Sequence, residues 1–392
     1  MKRVAVVGAG IGGLAIATLL AEQGDEVVVY EQAPSPKPVG AGFLLQPPGQ
    51  RVLAHLGVLN DIANVSIPIN SLQSKTINGK TLLDLKYANL KGKQRQGLGV
   101  QRSTIHKALL QRAHQNKTIE FVWGEEVTSC QNLNDRVCVQ TPNEKAMYDF
   151  CILSSGASND LAQSHFPKRI KRPYGWGCLW TTMSLPPSLA SDVLHQRCYQ
   201  AENMMGILPV KKTEHGIEAA LYWSMPSSQL TQLNTARFRP VLQEMKSFWP
   251  AAEMSLSALN SSDFIAAHYH DVWTPTPYHG RIIAIGDVCH GTSPQLGQGC
   301  TMALLDALSL ANTIEQYSLS PKALQIWWKS RRAQLYYVRH LSRILTPLFQ
   351  SNSVFCAKAR DWIMAPVGRL SMFQQLQLRT LASDIFLPTP LG

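Results

Sequence analysis

Hydrophobic and polar positions alternate along this chain in a few distinct ways, and each way predicts an element. Lys2-Arg-Val-Ala-Val-Val7 is a continuous apolar run rich in β-branched residues, the pattern of a strand buried on both faces. Leu14 to Gln23 reads as a helix, and Glu26-Val-Val-Val-Tyr30 as a second buried strand that ends at Glu31. Two later runs, Asp149-Phe-Cys-Ile-Leu153 and Arg281-Ile-Ile-Ala-Ile285, predict further strands of the same kind. A helix opens at Arg102, another near Cys300, and a helical stretch spans Phe238 to Phe248. Residues from about 72 to 97 and 171 to 270 otherwise read as strands. Within them, a strand over Tyr174-Gly-Trp-Gly-Cys-Leu-Trp180 places Tyr174, Trp176, Cys178 and Trp180 on one face and Gly175 and Gly177 on the other. Near the end, Leu324, Trp328, Leu335, Val338, Leu341, Ile344, Leu345 and Leu348 approximate helical spacing.

Two glycine-rich segments punctuate these elements where a ligand can use them. Gly8-Ala-Gly10-Ile-Gly-Gly13 joins the first strand to the first helix, and Glu31 follows Gly10 by 21 residues. Strand, glycine turn, helix, strand and terminal acid together make a dinucleotide fingerprint: the glycines let a pyrophosphate approach, and the acid takes a ribose hydroxyl. The second segment, GDVCHGTSPQLGQGC from Gly286 to Cys300, puts a carboxylate at a strand end and Gly297-Gln298-Gly299 at a helix start. A helix start of that kind suits an anionic ring or phosphate. The pair of segments points to FAD.

Composition narrows the class. At 392 residues and 45% hydrophobic content the chain can bury a large core, and two cores are expected. Its eight cysteines form no C-x-x-C pair, which argues against a zinc site or disulfide framework and for a reducing compartment. No metal site is predicted. Met1-Lys-Arg and the apolar run after it read as fold rather than as a targeting signal, because four glycines interrupt the run. No segment reaches the ~18 consecutive apolar residues of a membrane span, so a cytoplasmic location is expected. The net charge of +11 is concentrated: from Gln316 to Arg360 there are eight Lys or Arg and no Asp or Glu. Such a helix either rests peripherally on the inner membrane surface or covers the sheet with a solvated basic face. No nucleic-acid motif accompanies the charge.

The ordered motifs resemble the class A flavoprotein monooxygenases, the p-hydroxybenzoate hydroxylase-like group that includes ubiquinone-pathway hydroxylases. The resemblance covers most of the chain. It rests on the N-terminal fingerprint, on Gly40-Ala-Gly42 with Gln46-Pro-Pro48, on Arg102, and above all on Gly286-Asp287 through Gly299. It implies that Gly8, Gly10 and Gly13 hold the FAD pyrophosphate, Glu31 the adenosine ribose, and Arg102 the pyrophosphate or ribityl region. By the same resemblance Asp287 bonds the ribityl chain and Pro294 sits beside the isoalloxazine. Gly297, Gly299 and Cys300 then present amides to its pyrimidine edge, where reduced flavin carries negative charge.

The implied fold is α/β: a Rossmann-like FAD-binding domain (1–71, 98–170 and 271–316) interwoven with a smaller β-rich, α+β substrate domain (72–97 and 171–270). A C-terminal helical segment (317–392) follows. The implied activity is hydroxylation of an aromatic or other electron-rich small molecule through a flavin C4a-hydroperoxide, with O2 and NADH or NADPH. No catalytic residue is named, since the flavin does the hard chemistry; His268, His270 and His279 are candidates for a base. Tyr174, Trp176 and Trp180 form either a substrate wall or ordinary core packing, and Met204 to Pro209 either adaptable lining or core.

One departure bears on the electron donor. The family's mid-chain Gly-Ala-Asp-Gly is replaced by Ser154-Ser155-Gly156, with Ser155 where Asp is expected. Thr301 and Leu305 likewise replace an asparagine and a commonly acidic residue. Alternatives therefore stay open: a separate reductase, a related-fold FAD-dependent reductase or oxidase, or a flavin-binding partner protein without self-sufficient turnover.

Overall fold

The structure, a computed structural model, describes residues 1–36, 42–90, 95–233, 235–367 and 371–386. Gly40 and Ala41 of the Gly40-Ala-Gly42 motif lie outside the described residues.

Arg3–Val7 is an inner strand of a six-stranded sheet, parallel to Glu26–Glu31 on one side and Phe150–Leu153 on the other. The sheet continues to Ile119–Trp123 beyond the second strand. At the opposite end it runs through Ile282–Ala284 to Tyr278–His279, the latter antiparallel. Parallel strands are covered on both faces, which is why their sequences are continuous apolar runs. On one face pack the helices Ile11–Glu22, Arg102–His114 and Gly299–Tyr317, through Leu14, Leu20, Ile105 and Leu304. On the other lies an antiparallel trio, Ser129–Asn132, Val137–Gln140 and Lys145–Tyr148, through Val137, Val139 and Tyr148. The helix Ile11–Glu22 is buried at every residue except its last, because it is caught between the sheet and the helix Gly299–Tyr317. Its sequence is accordingly apolar all round rather than amphipathic.

A second, seven-stranded sheet draws its strands from two stretches of chain. Its order is Ile265–Trp273, Ile170–Ser184, Gly216–Pro226, Asn203–Thr213, Val193–Tyr199, Ser71–Thr76 and Thr81–Lys86. One face packs Leu179, Met183, Met205, Ile207 and Trp223 beneath the helices Thr235–Phe248 and Glu253–Ser257. The other packs Leu208, Val210, Ala220 and Tyr222 against Leu44, Ile67 and Ile69 of a small sheet, Gly42–Leu45, Gly97–Gln101 and Ile67–Ile69. Met205 therefore belongs to the helix-covered core.

The C-terminal segment is helical: Pro321–Phe349, Val354–Val367 and Ser371–Leu381. The first of these buries Leu324, Trp327, Trp328, Leu335 and Val338 against the six-stranded domain. Two features differ from the sequence pattern. Ile344, in the expected apolar stripe, is exposed, while Arg331, Arg339 and Arg360 are buried. Each buried arginine meets a carboxylate: Arg331 meets Asp306 at 2.7 Å, Arg339 meets Asp271 at 3.0 Å and Arg360 meets Asp361 at 2.7 Å. Within the first helix, Arg331 and Arg339 can stand in an apolar stripe because buried carboxylates offset part of the cost of taking them out of water.

Candidate active site

The loop between the first strand and first helix is shaped by backbone approach. Gly8 has φ +104°, and an added Cβ there would stand 2.7 Å from the carbonyl oxygen of Ser154. At Gly13 an added Cβ would fall on the carbonyl oxygen of Gly8. These two glycines are required by the protein itself. Gly10 differs: a Cβ there meets no atom within 4 Å, and as the N-cap of the helix it brings no side chain to the first amides. An uncapped helix start facing open space is an anion site in the making. Glu31 stands over the same loop. Its Oε2 accepts from the Ala9 amide at 2.9 Å, and its Oε1 from the Ala33 amide at 2.9 Å. His106, on the helix that Arg102 opens, contacts the Ala9 carbonyl at 2.8 Å through Nε2.

The late segment folds onto the same sheet edge. Ile282–Ala284 leads into Gly286 (φ +69°), and Asp287 opens a short helix, half-buried. Pro294 starts a 3-10 turn that ends at Gly297 with φ +61°, and Gly299 begins the 19-residue helix to Tyr317. The left-handed backbone at Gly297 is what lets the turn stop and the helix start two residues later. Pro294 and Gly299 are exposed, Gly297 and Cys300 half-buried. Burial pushes the Cys300 thiol up to about 12, with Arg102 opposing and Asp287 adding to the rise. Arg102 and the pair Asp287 and Cys300, from two distant parts of the sequence, thus share one neighbourhood. Tyr174 joins it: its hydroxyl is raised by burial and then by Asp271, and Ser293, next to Pro294, opposes the rise.

Sequence reading missed the group that props this segment. Asp306 accepts from the Gly286 amide at 3.0 Å and meets His290 Nε2 at 2.5 Å through Oδ2, and accepts from Arg331 Nε at 2.7 Å through Oδ1. All three side chains are buried. Burial alone would raise the Asp306 carboxyl, but His290 and Arg331 outweigh it and hold it at about 2. The signal was available: a carboxylate inside Ala303-Leu-Leu-Asp-Ala-Leu308 needs a buried partner. On the same helix start, Gln298 donates to the Thr380 and Leu381 carbonyls at 3.1 Å each and accepts from the Ser383 hydroxyl. The end of the described chain therefore clamps the loop from behind.

The seven-stranded sheet contributes a polar-aromatic face. The strand Ile170–Ser184 carries an irregularity between Pro173 and Gly177 in its pairing with Ile265–Trp273. Regular pairing with Gly216–Pro226 resumes at Trp176, so simple alternation holds from Trp176 onward and Tyr174 lies within the irregular stretch. Register sets Cys178 opposite Ser224 and Trp180 opposite Tyr222; Trp176 and Trp180 are half-buried. The Tyr222 hydroxyl donates to the carbonyl of Gly42, and the Cys178 thiol lies beside Tyr269. Burial pushes the Cys178 thiol up to about 11 and raises the Tyr222 and Tyr269 hydroxyls, with Cys178 adding to both. All three stay protonated at neutral pH. His268 and His279 are exposed and His270 half-buried; burial, then Lys171, lowers His270. Ser155 sits beside the Gly8 turn, its Oγ enclosed and without a hydrogen-bond partner.

These observations fit a flavin dinucleotide: an uncapped helix start before open space, a carboxylate fixed over it, and a second uncapped helix start beside Asp287. Residues 1–146 match the family model described as FAD binding domain. The chain is 25% identical over 360 residues to the FAD-dependent monooxygenase atnJ of Arthrinium sp, covering 85% of this chain and 81% of that one. It is 23% identical over 374 residues to the 2-heptyl-3-hydroxy-4(1H)-quinolone synthase of Pseudomonas aeruginosa, covering 94% and 95%. Its fold matches that of Klebsiella pneumoniae HpxO complexed with FAD and uric acid, with a TM-score of 0.82 over 100% of this chain and 98% of that one at 21% identity. With the glycine loop, the Gly286–Cys300 segment and the two interleaved sheets all in place, residues 1–146 carry an FAD binding domain, and the chain along most of its length is similar to FAD-dependent monooxygenases.

Proposed function

We propose that this enzyme hydroxylates a flat aromatic or other electron-rich small molecule, using FAD, O2 and reducing equivalents from NADH or NADPH. The observation that carries the reading is the convergence of Arg102, Asp287 and the Gly297–Cys300 helix start next to Tyr174 and Ser293. Bound FAD supplies the redox and oxygen chemistry. The chain's own residues hold and surround it. Gly8, Gly10 and Gly13 admit the pyrophosphate, Glu31 takes the adenosine ribose, and Arg102 neutralises the phosphate or ribityl region. Asp287 accepts from the ribityl chain. The amides at Gly299 and Cys300 meet developing negative charge at a preorganised helix start. Pro294 flanks the ring system.

Tyr174, Trp176 and Trp180 form the wall on the substrate side, and Cys178, Tyr222 and Tyr269 keep that face protonated and uncharged. An uncharged aromatic face favours a flat, conjugated ring over a strongly anionic ligand. The quinolone and uric acid named for two similar proteins are of that kind. No imidazole is needed as a base in this reading, and the exposed positions of His268 and His279 agree with that.

A second reading concerns the electron donor. Ser155 puts a neutral hydroxyl where the resembled family carries an acid, which makes delivery of electrons by a separate reductase the alternative to direct reaction with NAD(P)H. One experiment separates the two. The FAD-loaded protein is mixed anaerobically with NADH, then NADPH, with and without a panel of phenols, quinolones and aromatic amines, and the flavin's visible absorbance is followed. The expected outcome is bleaching that a panel member accelerates, followed by labelled oxygen from O2 in the product. Bleaching without label in any product would make the chain a reductase or oxidase. No bleaching by either nucleotide, while dithionite still reduces the flavin, would assign reduction to a partner.

A further inference from the structure

The C-terminal helices form one layer. Tyr337 and Thr380 join their hydroxyls at 2.6 Å, Gln334 donates to the Ser383 carbonyl at 3.1 Å, and Arg360 donates to the Leu348 carbonyl at 3.1 Å. Its outward surface is unusual in two respects. Phe355 and Trp362 are each 80% exposed and Met372 83%, and Ile344 and Phe386 of the same helical segment are exposed as well. A shallow hollow of about 690 Å³ runs between Phe386 and the outer face of Pro321–Phe349, lined by Ala333, Tyr336, Leu341 and Ile344 among others. Scattered exposed apolar side chains are ordinary, but aromatic and aliphatic ones gathered on one layer mark an interaction surface.

The charge of the same layer says what the surface meets. From Gln316 to Gly392 the only acids are Asp361 and Asp384, and each is taken up in an ion pair, with Arg360 and Arg95 respectively. Lys322, Lys329, Arg332, Arg343, Lys358 and Arg379 are exposed; of these Arg343 alone reaches a carboxylate, Asp271 at 4.0 Å. Among the described residues, then, the layer shows six exposed cations, bare Phe, Trp, Met and Ile, and no unpaired acid.

We propose that this layer docks on an anionic lipid bilayer. The apolar side chains enter the boundary between headgroups and acyl chains, and the cations face lipid phosphates. Tryptophan set among Lys and Arg is suited to the headgroup level, where one part of the ring is apolar and the other wet. Apolar burial and attraction to anionic lipid add in such contacts, and neither suffices alone. A second copy of the chain is a poorer occupant, since two such faces repel. No described helix is long and apolar enough to cross a membrane, so the contact is peripheral.

The test uses the FAD-loaded full chain with vesicles of phosphatidylcholine alone or mixed equally with phosphatidylglycerol. Trp362 is the only exposed tryptophan of the nine, so its emission reports the environment of the layer. The proposal expects co-sedimentation with the anionic vesicles, a blue shift of tryptophan emission, and about a tenfold loss of binding when salt rises from low to high. Phe355→Ser/Trp362→Ser/Met372→Ser should lower that binding at least about tenfold with FAD content unchanged. Lys329→Gln/Arg332→Gln/Arg343→Gln should abolish the preference for anionic over neutral vesicles. Absence of binding to anionic vesicles at low salt, or equal binding to both compositions, overturns the proposal. So does a dimer in sedimentation velocity, without vesicles, that Trp362→Ser dissolves.

Discussion

At the start of the chain, Gly8 and Gly13 act through atoms only a few residues away or on the adjoining strand end at Ser154. On the seven-stranded sheet, Cys178, Tyr222 and Tyr269 come together from three strands, and Tyr222 reaches across 180 residues of sequence to the Gly42 carbonyl. The first region is specified by what a side chain would collide with, and the second by which strands happen to be neighbours. A local constraint leaves its mark as a motif. A tertiary one leaves only residue types that could equally fill a core.

The sharpest way to test the local half is to treat its glycines separately. Gly13→Ala sets a Cβ on the Gly8 carbonyl, a backbone atom that cannot yield. The expected outcome is loss of folded, flavin-containing protein. Gly10→Ala adds a methyl group where the protein has no atom within 4 Å. Its apo form should keep wild-type stability or gain about 0.4–1 kcal/mol, while FAD affinity falls at least about tenfold, or ~1.4 kcal/mol. Flavin content per chain and thermal unfolding of the apo form check both. If both alanine variants behave alike, the loop does not divide into structural and ligand-facing glycines.

Between the two extremes stands Asp306, local to the late glycine segment in sequence yet dependent on Arg331 from another helix. Asp306→Asn keeps the shape but leaves Arg331 buried without its counter-charge. Breaking such a buried pair costs about 3–5 kcal/mol, measurable by urea unfolding at pH 7. The effect carries a pH signature. The folded carboxyl, held at about 2, lies below the unfolded value of about 4. Its stabilisation is therefore complete above the unfolded value and lost as pH falls through the folded one. The gap between wild type and Asp306→Asn should be full at neutral pH and narrow steadily between about pH 4 and pH 2. A gap independent of pH would mean that the asparagine acts through packing rather than charge.

The division between local and tertiary also explains what the sequence disclosed. Both glycine segments, the strand leading to Glu31, the helix opened by Arg102 and the helix beginning at Gly299 were legible, because turn chemistry and periodicity are properties of short windows. The irregularity between Pro173 and Gly177 was not, because it arises from pairing with Ile265–Trp273, a strand some ninety residues later. The Pro321–Phe349 helix was legible as a helix but not in its faces. Ile344 points outward and Arg331 and Arg339 inward, since Asp306 and Asp271 wait inside and a hydrophobicity pattern carries no record of partners. Ser155 is the converse case: plain in the sequence as a departure, it gains a place once it is seen enclosed beside Gly8.

The smallest effect probes the tertiary half directly. Tyr222 is half-buried on the sheet face, and its hydroxyl is the donor that ties this face to the strand Gly42–Leu45. Tyr222→Phe removes that single bond and leaves the ring and its packing against Gly206 in place. The Gly42 carbonyl loses a donor, so the expected cost is about 1 kcal/mol, near the usual net worth of one intramolecular hydrogen bond. FAD affinity should not change, because none of the residues assigned to the dinucleotide contacts this hydroxyl. Urea unfolding of the variant and flavin titration of its apo form measure the two quantities independently. A loss as large as that of Asp306→Asn would mean that the joint between sheet and glycine-led strand is as strongly built as the buried charge cluster, and the contrast between the two regions would no longer hold. A loss near 1 kcal/mol would show the sheet face to be held by many small contributions, no one of which the sequence had reason to mark.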